Sequence, residues 1–399
     1  MLTKGSISRL FTLGNIGLSL PCFYGIVLFI YSYDDIINPS TPTYIKIFKD
    51  LILITIIIKG IIKILIDSKL NIKLFYFINI LIIFLFYIIA LNYLKGWTNF
   101  SDFNFIKNYF FYISGLLFVY VYGSEFTENL LRKLLLIVIS IGIIFLLISY
   151  LTNFTFMYQD RSISTFLNPN FLGYILTFQF VLICFSLKEN SVFINIILLG
   201  TTKSISSILF ILILLIIFSF NTRRVNFEVK NYSRIFLILI ILILFCITFL
   251  MDSSFTNKIN YILGLDNSPI VYSTSLDGRL LSYTTAWMIL TESYTSLFFG
   301  SNNEEMFEWD SGAINILYNY GVIGFFLWML IFIYPILVGL NSFKVKPYLL
   351  SIFLLLSFII FYSTQYVTQF YPTNFFIAII IGLILFSTDS NQFVCKHLR

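Results

Sequence analysis

The stretch IKLFYFINILIIFLFYIIALNYL, residues 72–94, holds one charged residue, Lys73, in 23 positions. About 20 apolar residues in a helix are enough to cross the hydrocarbon core of a bilayer. Windows of this kind recur along almost the whole chain of 399 residues, of which 59% are apolar and 11% charged. Soluble domains carry about 25% charged residues. The sequence therefore predicts an all-α polytopic membrane protein.

The apolar windows predict about 12 transmembrane helices, two of them short or broken, in a single integral membrane domain over residues 1–399. No small-residue cleavage motif follows the basic N-terminus, so the first window is interpreted as a span and not as a removed signal. The predicted helices lie at about 10–31, 44–66, 72–94, 104–123, 131–151, 167–187, 191–201, 204–221, 233–251, 313–340, 347–366 and 373–388.

Lysine and arginine set the predicted orientation, because cytoplasmic loops carry an excess of both. Sixteen of the 25 basic residues fall on one side of the predicted spans and seven on the other. Both termini are therefore expected in the cytoplasm. The longest polar segment, 252–310, is expected on the opposite side as a large periplasmic loop that contains an amphipathic helix. The net charge of +6 fits basic cytoplasmic loops, and no nucleic-acid partner is expected.

The segment between Lys188 and Arg223 is short for two ordinary crossings. It offers about 30 apolar residues where two crossings need roughly 40, and it breaks at LLGTTKSISS, residues 198–207. Two short helices or a re-entrant hairpin fit the basic residues at both ends, and one long tilted helix is the alternative. Irregular backbone at membrane depth has to be sheltered, so we expect a cavity near Lys203.

Two arginines lie on the predicted outer side, where basic residues are scarce. Arg161 precedes the Asn-Pro-Asn sequence at 168–170, which suits the start of a helix. Arg279 opens the amphipathic segment 277–300. Guanidinium groups bind phosphate oxygens in pairs, so the two arginines suggest a pyrophosphate at a membrane surface and hence a polyprenyl carrier. An interfacial anchor without chemistry is the alternative for both.

Four acids precede the predicted helix at about 313–340, and a helix N-terminus favours such charges. Most are expected to be solvated, which leaves one to serve as a base. The single histidine, His397, lies in the C-terminal tail, so a histidine base on the outer side is excluded. No HExxH, GxSxG, Walker or GxGxxG motif occurs, and neither a metal nor a cofactor is expected. The acids are Glu304, Glu305, Glu308 and Asp310.

The order of these motifs resembles the O-antigen polymerase and O-antigen ligase superfamily, over about residues 161–340. The motifs are Arg161 before the Asn-Pro-Asn helix, TTKSISS at 201–207, DGR at 277–279, FFG at 298–300 and GVIG at 321–324. The resemblance implies an inverting, metal-independent glycosyltransferase of the bacterial inner membrane. It acts at the periplasmic face on sugars linked to undecaprenyl pyrophosphate. The two glycines of GVIG are small enough for close helix packing.

Ligases of this superfamily carry a His-Asn pair eleven residues before the first glycine of GxxG. That count from Gly321 gives Asp310 and Ser311 here, so the resemblance favours a repeat-unit polymerase over a ligase. It implies catalytic roles for Asp310, then Glu308, on the acceptor hydroxyl, and for Arg161 and Arg279 on the leaving group. The residues expected to bind pyrophosphate or glycan are Arg161, Arg279, Lys203, Asn168, Asn170, Trp287 and Trp309.

Two other functions stay open. One is an O-antigen ligase that transfers glycan to lipid A-core. The other is a lipid-linked oligosaccharide flippase or another transporter with 12 helices, although transporters usually show matched halves and no repeat is visible here. The expected partners are the lipid bilayer, an undecaprenyl-pyrophosphate-linked oligosaccharide and a membrane protein that regulates chain length.

Overall fold

The computed structural model describes residues 43–66, 72–96, 103–124, 126–128, 130, 144, 157–158, 161–162, 173–174, 176–177, 210–211, 213, 283–301, 312–342, 344–362 and 373–387. The predicted spans at 10–31, 191–201 and 233–251 lie outside these ranges. The same is true of the cavity expected near Lys203.

The main helices of the described ranges follow the apolar windows of the sequence. Two of them, Ile72–Leu94 and Gly312–Leu340, are long and apolar enough to cross a membrane. The helical prediction is confirmed here, apart from a pair of two-residue strands, β1 Met157–Tyr158 and β2 Arg161–Ser162. The helices are α1 Thr43–Ile66, α2 Ile72–Leu94, α3 Phe103–Tyr122, α4 283–291, α5 Tyr294–Phe299, α6 Gly312–Leu340, α7 Val345–Leu356 with a π-helical turn Ser357–Tyr362, and α8 Thr373–Ser387.

Helix α8 lies at the centre of the described helices and contacts α3, α6 and α7. Every residue from 374 to 385 is buried, as expected of a helix that is apolar on all sides. Glycines bring α3 and α8 close together. A Cβ on Gly115 would lie 2.7 Å from the carbonyl oxygen of Phe375, and one on Gly382 would lie 2.9 Å from the Val119 side chain.

Helices α2 and α6 run antiparallel. Near the start of α2, the carbonyl of Lys73 accepts a hydrogen bond of 3.2 Å from the Tyr334 hydroxyl, late in α6. Further along α2, the Tyr87 hydroxyl donates to the carbonyl of Tyr320, early in α6, at 2.7 Å. The two contacts lie in opposite order along the two helices, which fixes their relative direction.

Helices α3 and α8 run parallel. The ring of Phe118 packs against Phe375 with centroids 6.4 Å apart, and Tyr120 packs against Phe386 at 5.6 Å. Both helices therefore end at the same level. The last turn of α1 ends there too, because the Lys63 ammonium donates to the carbonyl of Tyr120 at 2.7 Å.

Several lysines lie at this end of the described helices, which we call the basic end. It contains Lys63, the start of α2 at Lys73, and Lys346 at the start of α7. Lys346 forms an ion pair with the mostly buried Glu128, which follows α3. The opposite end holds the last residues of α2, the start of α6, and the short helices α4 and α5. The features described next lie at this opposite end.

Candidate functional site

Helix α6 breaks at Gly321, where φ is 67° and ψ is −172°. Only glycine adopts this backbone region at low cost. The C-terminal end of α5 packs against this break. A Cβ on Gly321 would lie 2.3 Å from the carbonyl oxygen of Phe298, and one on Gly300, itself at φ 85°, would lie 2.5 Å from the carbonyl oxygen of Asn319. We call this backbone contact, Phe298–Ser301 against Asn319–Gly324, the α5–α6 junction.

The two glycine motifs singled out in the sequence therefore meet. The glycine of FFG and the first glycine of GVIG both face main-chain atoms of the other segment. Larger residues would push the two segments apart. The amide of Ser301 donates to the carbonyl of Tyr318 at 2.7 Å, so the chain leaves the junction at a point tied to α6. It returns to α6 at Gly312. The segment between, 302–311, carries Glu308, Trp309 and Asp310 and lies outside the described residues.

A side chain from α2 bridges the break in α6. A helix carbonyl ordinarily accepts from the amide four residues later, which pairs Tyr320 with Gly324. Here the Tyr87 hydroxyl donates to the Tyr320 carbonyl at 2.7 Å. The phenol therefore spans the break, with its hydroxyl on Tyr320 and its ring beside Gly324. Gly324 makes room for it, because a Cβ there would lie 2.9 Å from the Tyr87 ring.

We expect Tyr87→Phe to lower the free energy of unfolding by about 0.5–1.5 kcal/mol, since it removes a hydrogen bond to a carbonyl of the buried residue Tyr320. The thermal midpoint of the purified protein should fall accordingly. Tyr93→Phe is the matched control, because Tyr93 lies on the same helix and is 85% exposed. An equal effect of both substitutions would show that the bridging hydroxyl contributes nothing of its own.

A second side chain, from the residue that follows α2, hydrogen-bonds to both segments of the junction. The Lys95 ammonium donates to the carbonyls of Ser301 and Asn319, at 2.8 Å each. Burial lowers the pKa of Lys95 to about 7, because removing the ammonium from water disfavours its charged form. From the sequence alone, Lys95 is one of the seven basic residues on the predicted outer side. Nothing in its type or neighbours distinguished it from an interfacial lysine.

The amphipathic segment predicted at 277–300 forms two helices within its described part, α4 and α5. Helix α5 begins anew after Ser293, whose hydroxyl accepts from the amide of Ser296 at 3.0 Å. Such a side chain caps the free amides of a first turn. Helix α4 packs Ala286 against the start of α6. On its other side, Trp287 is 55% exposed.

The structure describes two of the predicted site residues. Arg161 pairs with Tyr158 in the two-stranded hairpin, where its backbone alone is described, and Trp287 lies on the exposed side of α4. No contact between the two is described. Among the residues described, no three His, Cys, Asp or Glu side chains come together as metal ligands would. The remaining predicted residues lie outside the described ranges: Asn168, Asn170, Lys203, Arg279, Glu308, Trp309 and Asp310.

The described residues thus define a helical protein with two helices that are long and apolar enough to cross a membrane. Comparison with protein-family models, with curated proteins and with solved structures gives no match for the chain. A function has to be inferred from the residues and their contacts.

Proposed function

We propose that the chain is a bacterial inner-membrane polymerase of oligosaccharide repeat units linked to undecaprenyl pyrophosphate, of the O-antigen or capsular kind. The α5–α6 junction is the observation that carries the proposal. Two motifs of the resemblance, FFG and GVIG, pack against each other there through glycines. The segment with Glu308 and Asp310, the residues proposed to act on the acceptor, begins directly after that contact.

The directions of the described helices support the proposed topology. In the predicted order of 12 helices, α2 is the third and α6 the tenth, so they should run in opposite directions. Helices α3 and α8 are the fourth and the twelfth and should run in the same direction. Both relations hold. Counting the segment at 191–221 as one tilted helix would reverse both expectations.

The depth of the junction supports a site at the outer membrane surface. The part of α6 between the break and the basic end, Val322–Leu340, has roughly 19 residues and is about 28 Å long. That length matches one hydrocarbon core of about 30 Å. The proposal places the basic end in the cytoplasm and the junction at the periplasmic boundary. Exposed aromatic residues, Trp287, Tyr294 and Phe298, suit such a boundary.

In the proposed reaction, a sugar hydroxyl of the acceptor attacks the anomeric carbon of the donor glycan. A new glycosidic C–O bond forms while the bond from that carbon to the pyrophosphate oxygen breaks. Undecaprenyl pyrophosphate leaves with the electron pair, and Arg161 and Arg279 stabilise its charge. The hydroxyl proton passes to a carboxylate, Asp310 first and Glu308 second. Lys203, Asn168, Asn170, Trp287 and Trp309 are proposed to hold the pyrophosphate and the glycan.

The alternatives fit the described residues less well. A ligase would be expected to carry a histidine where Asp310 stands. Transporters bind their substrates near the middle of the bilayer, commonly at discontinuous helices. The break in α6 lies instead a whole span away from the basic end, and the Lys95 ammonium already contacts the carbonyl of Asn319 beside it.

The glycan profile of a deletion strain tests the proposal. Loss of a polymerase leaves single repeat units on the final acceptor and no ladder of longer chains. Loss of a ligase leaves polymer on the lipid carrier and none on the acceptor. Loss of a flippase leaves single units on the carrier at the cytoplasmic face. Either of the last two results would overturn the proposed function.

We expect Arg161→Lys and Arg279→Lys to reduce polymer nearly as much as the alanine variants do. Lysine keeps the charge but loses the forked pair of hydrogen bonds, and one charge-assisted bond is worth about 1.5–3 kcal/mol. Polymer length and amount, measured at equal expression, provide the readout. Near-normal polymer in both lysine variants would make the arginines interfacial anchors only.

A further inference from the structure

The contacts of Lys95 lie at the start of the acid-bearing segment and beside the break in α6. Its ammonium reaches the carbonyl of Ser301, the last described residue before that segment, and the carbonyl of Asn319 beside the break in α6, at 2.8 Å each. One side chain at the end of α2 therefore ties the residue at which the segment begins to helix α6, the helix to which the chain returns at Gly312. Both residues are buried, with Ser301 3% and Asn319 7% exposed.

We propose that Lys95 is a positioning residue for the glycosyl transfer, because it fixes Ser301, where the chain leaves the α5–α6 junction, against Asn319 of α6. The inference rests on the proposed function. Lys95 takes no direct part in the proposed reaction and acts through its contacts with Ser301 and Asn319. Tyr87 adds a second contact from α2, to the carbonyl of Tyr320.

The protonation state of Lys95 should determine how firmly it holds the junction. An ammonium forms charge-assisted hydrogen bonds to carbonyls, about twice as strong as those of a neutral amine. Burial lowers the pKa of Lys95 to about 7, so the tether weakens as the pH rises past neutrality. Helices α2, α5 and α6 carry no Asp, Glu, His or Arg, and Lys73 lies at the basic end. The other titratable side chains described near the junction are Tyr87, Tyr318, Tyr320, and the exposed Glu292 and Tyr294. The four acids Glu304, Glu305, Glu308 and Asp310 follow Ser301 in the sequence.

The chain offers a matched control at its other end. Lys63 also donates to two main-chain carbonyls, those of Tyr120 at 2.7 Å and Val121 at 3.3 Å. It joins α1 to α3 at the basic end, away from the junction. Lys63→Met removes a tether of the same kind and should cost comparable stability without displacing the proposed site.

The test is polymerisation by the purified full-length protein with lipid-linked repeat units, between pH 6 and pH 9. For Lys95→Met we expect kcat to fall at least about tenfold with KM for the donor retained, and for Lys63→Met we expect little change in kcat. Wild-type activity should decline above pH 7. Lys95→Arg should keep most of the activity and lose that decline, because guanidinium does not titrate in this range.

Three outcomes would overturn the inference: full activity of Lys95→Met, equal losses in the Lys95→Met and Lys63→Met variants, or a decline above pH 7 that persists in Lys95→Arg. If Lys95→Met does not fold, the pH profile of Lys95→Arg decides alone. A wild-type protein without any polymerisation would instead contradict the proposed function, which keeps the two failures distinguishable.

Discussion

Gly321→Ala is expected to abolish polymer formation and to destabilise the protein by about 3 kcal/mol or more. The added Cβ would lie 2.3 Å from the carbonyl oxygen and 2.4 Å from the carbonyl carbon of Phe298. Main-chain atoms cannot rotate away as a flexible side chain can. The residue is also held at φ 67° and ψ −172°, where alanine is strained. Thermal unfolding and the glycan ladder are the measurements.

A control separates the close contact from the strained backbone. Gly123 also has a positive φ, 86°, but a Cβ there would meet nothing within 4 Å. Gly123→Ala should therefore cost only the conformational strain, about 1–2 kcal/mol, and should leave the ladder intact. Equal effects of the two substitutions would mean that the contact between α5 and α6 is not required.

Asp310→Asn is expected to reduce polymerisation about 10²-fold or more while donor binding is retained. Asparagine keeps the size and hydrogen bonding of aspartate but removes the charge, and general-base assistance is typically worth about 10²–10⁴-fold. Rates and donor affinities of the purified variant, measured without added metal, give both quantities.

Two neighbouring acids serve as controls for Asp310. Glu304→Gln and Glu305→Gln should be close to silent, because the resemblance gives neither a role. Full activity of Asp310→Asn beside an inactive Glu308→Gln would move the base two residues upstream. Full activity of both variants would leave the site without a carboxylate base.

The sequence predicts helices well where an apolar window has clear polar flanks. The windows at 72–94 and 313–340 match Ile72–Leu94 and Gly312–Leu340 closely, because hydrophobic length alone determines such elements. The sequence does not predict the break inside α6. Gly321 reads in the sequence as an ordinary small packing residue, and only the arrival of α5 against it explains a positive φ.

The side-chain hydrogen bonds at the junction could not be predicted from the sequence, for a related physical reason. Lys95 binds carbonyls 206 and 224 positions away in the chain, and carbonyls carry no residue-type signal. Tyr87 was likewise one of many tyrosines in apolar windows. Motif order did indicate FFG and GVIG, since glycine is needed wherever two backbones come close. Which polar side chains stabilise that approach depends on tertiary structure alone.

Polymerisation in vitro tests the central claim most directly. The purified protein would be incubated with the lipid-linked repeat unit from its own deletion strain, with a chelator and without nucleotides or other proteins. The proposed function predicts products of two, three and more repeat units on undecaprenyl pyrophosphate, with one carrier released for each bond formed. A protein that is folded by thermal unfolding, yet leaves the single units unchanged, would contradict it.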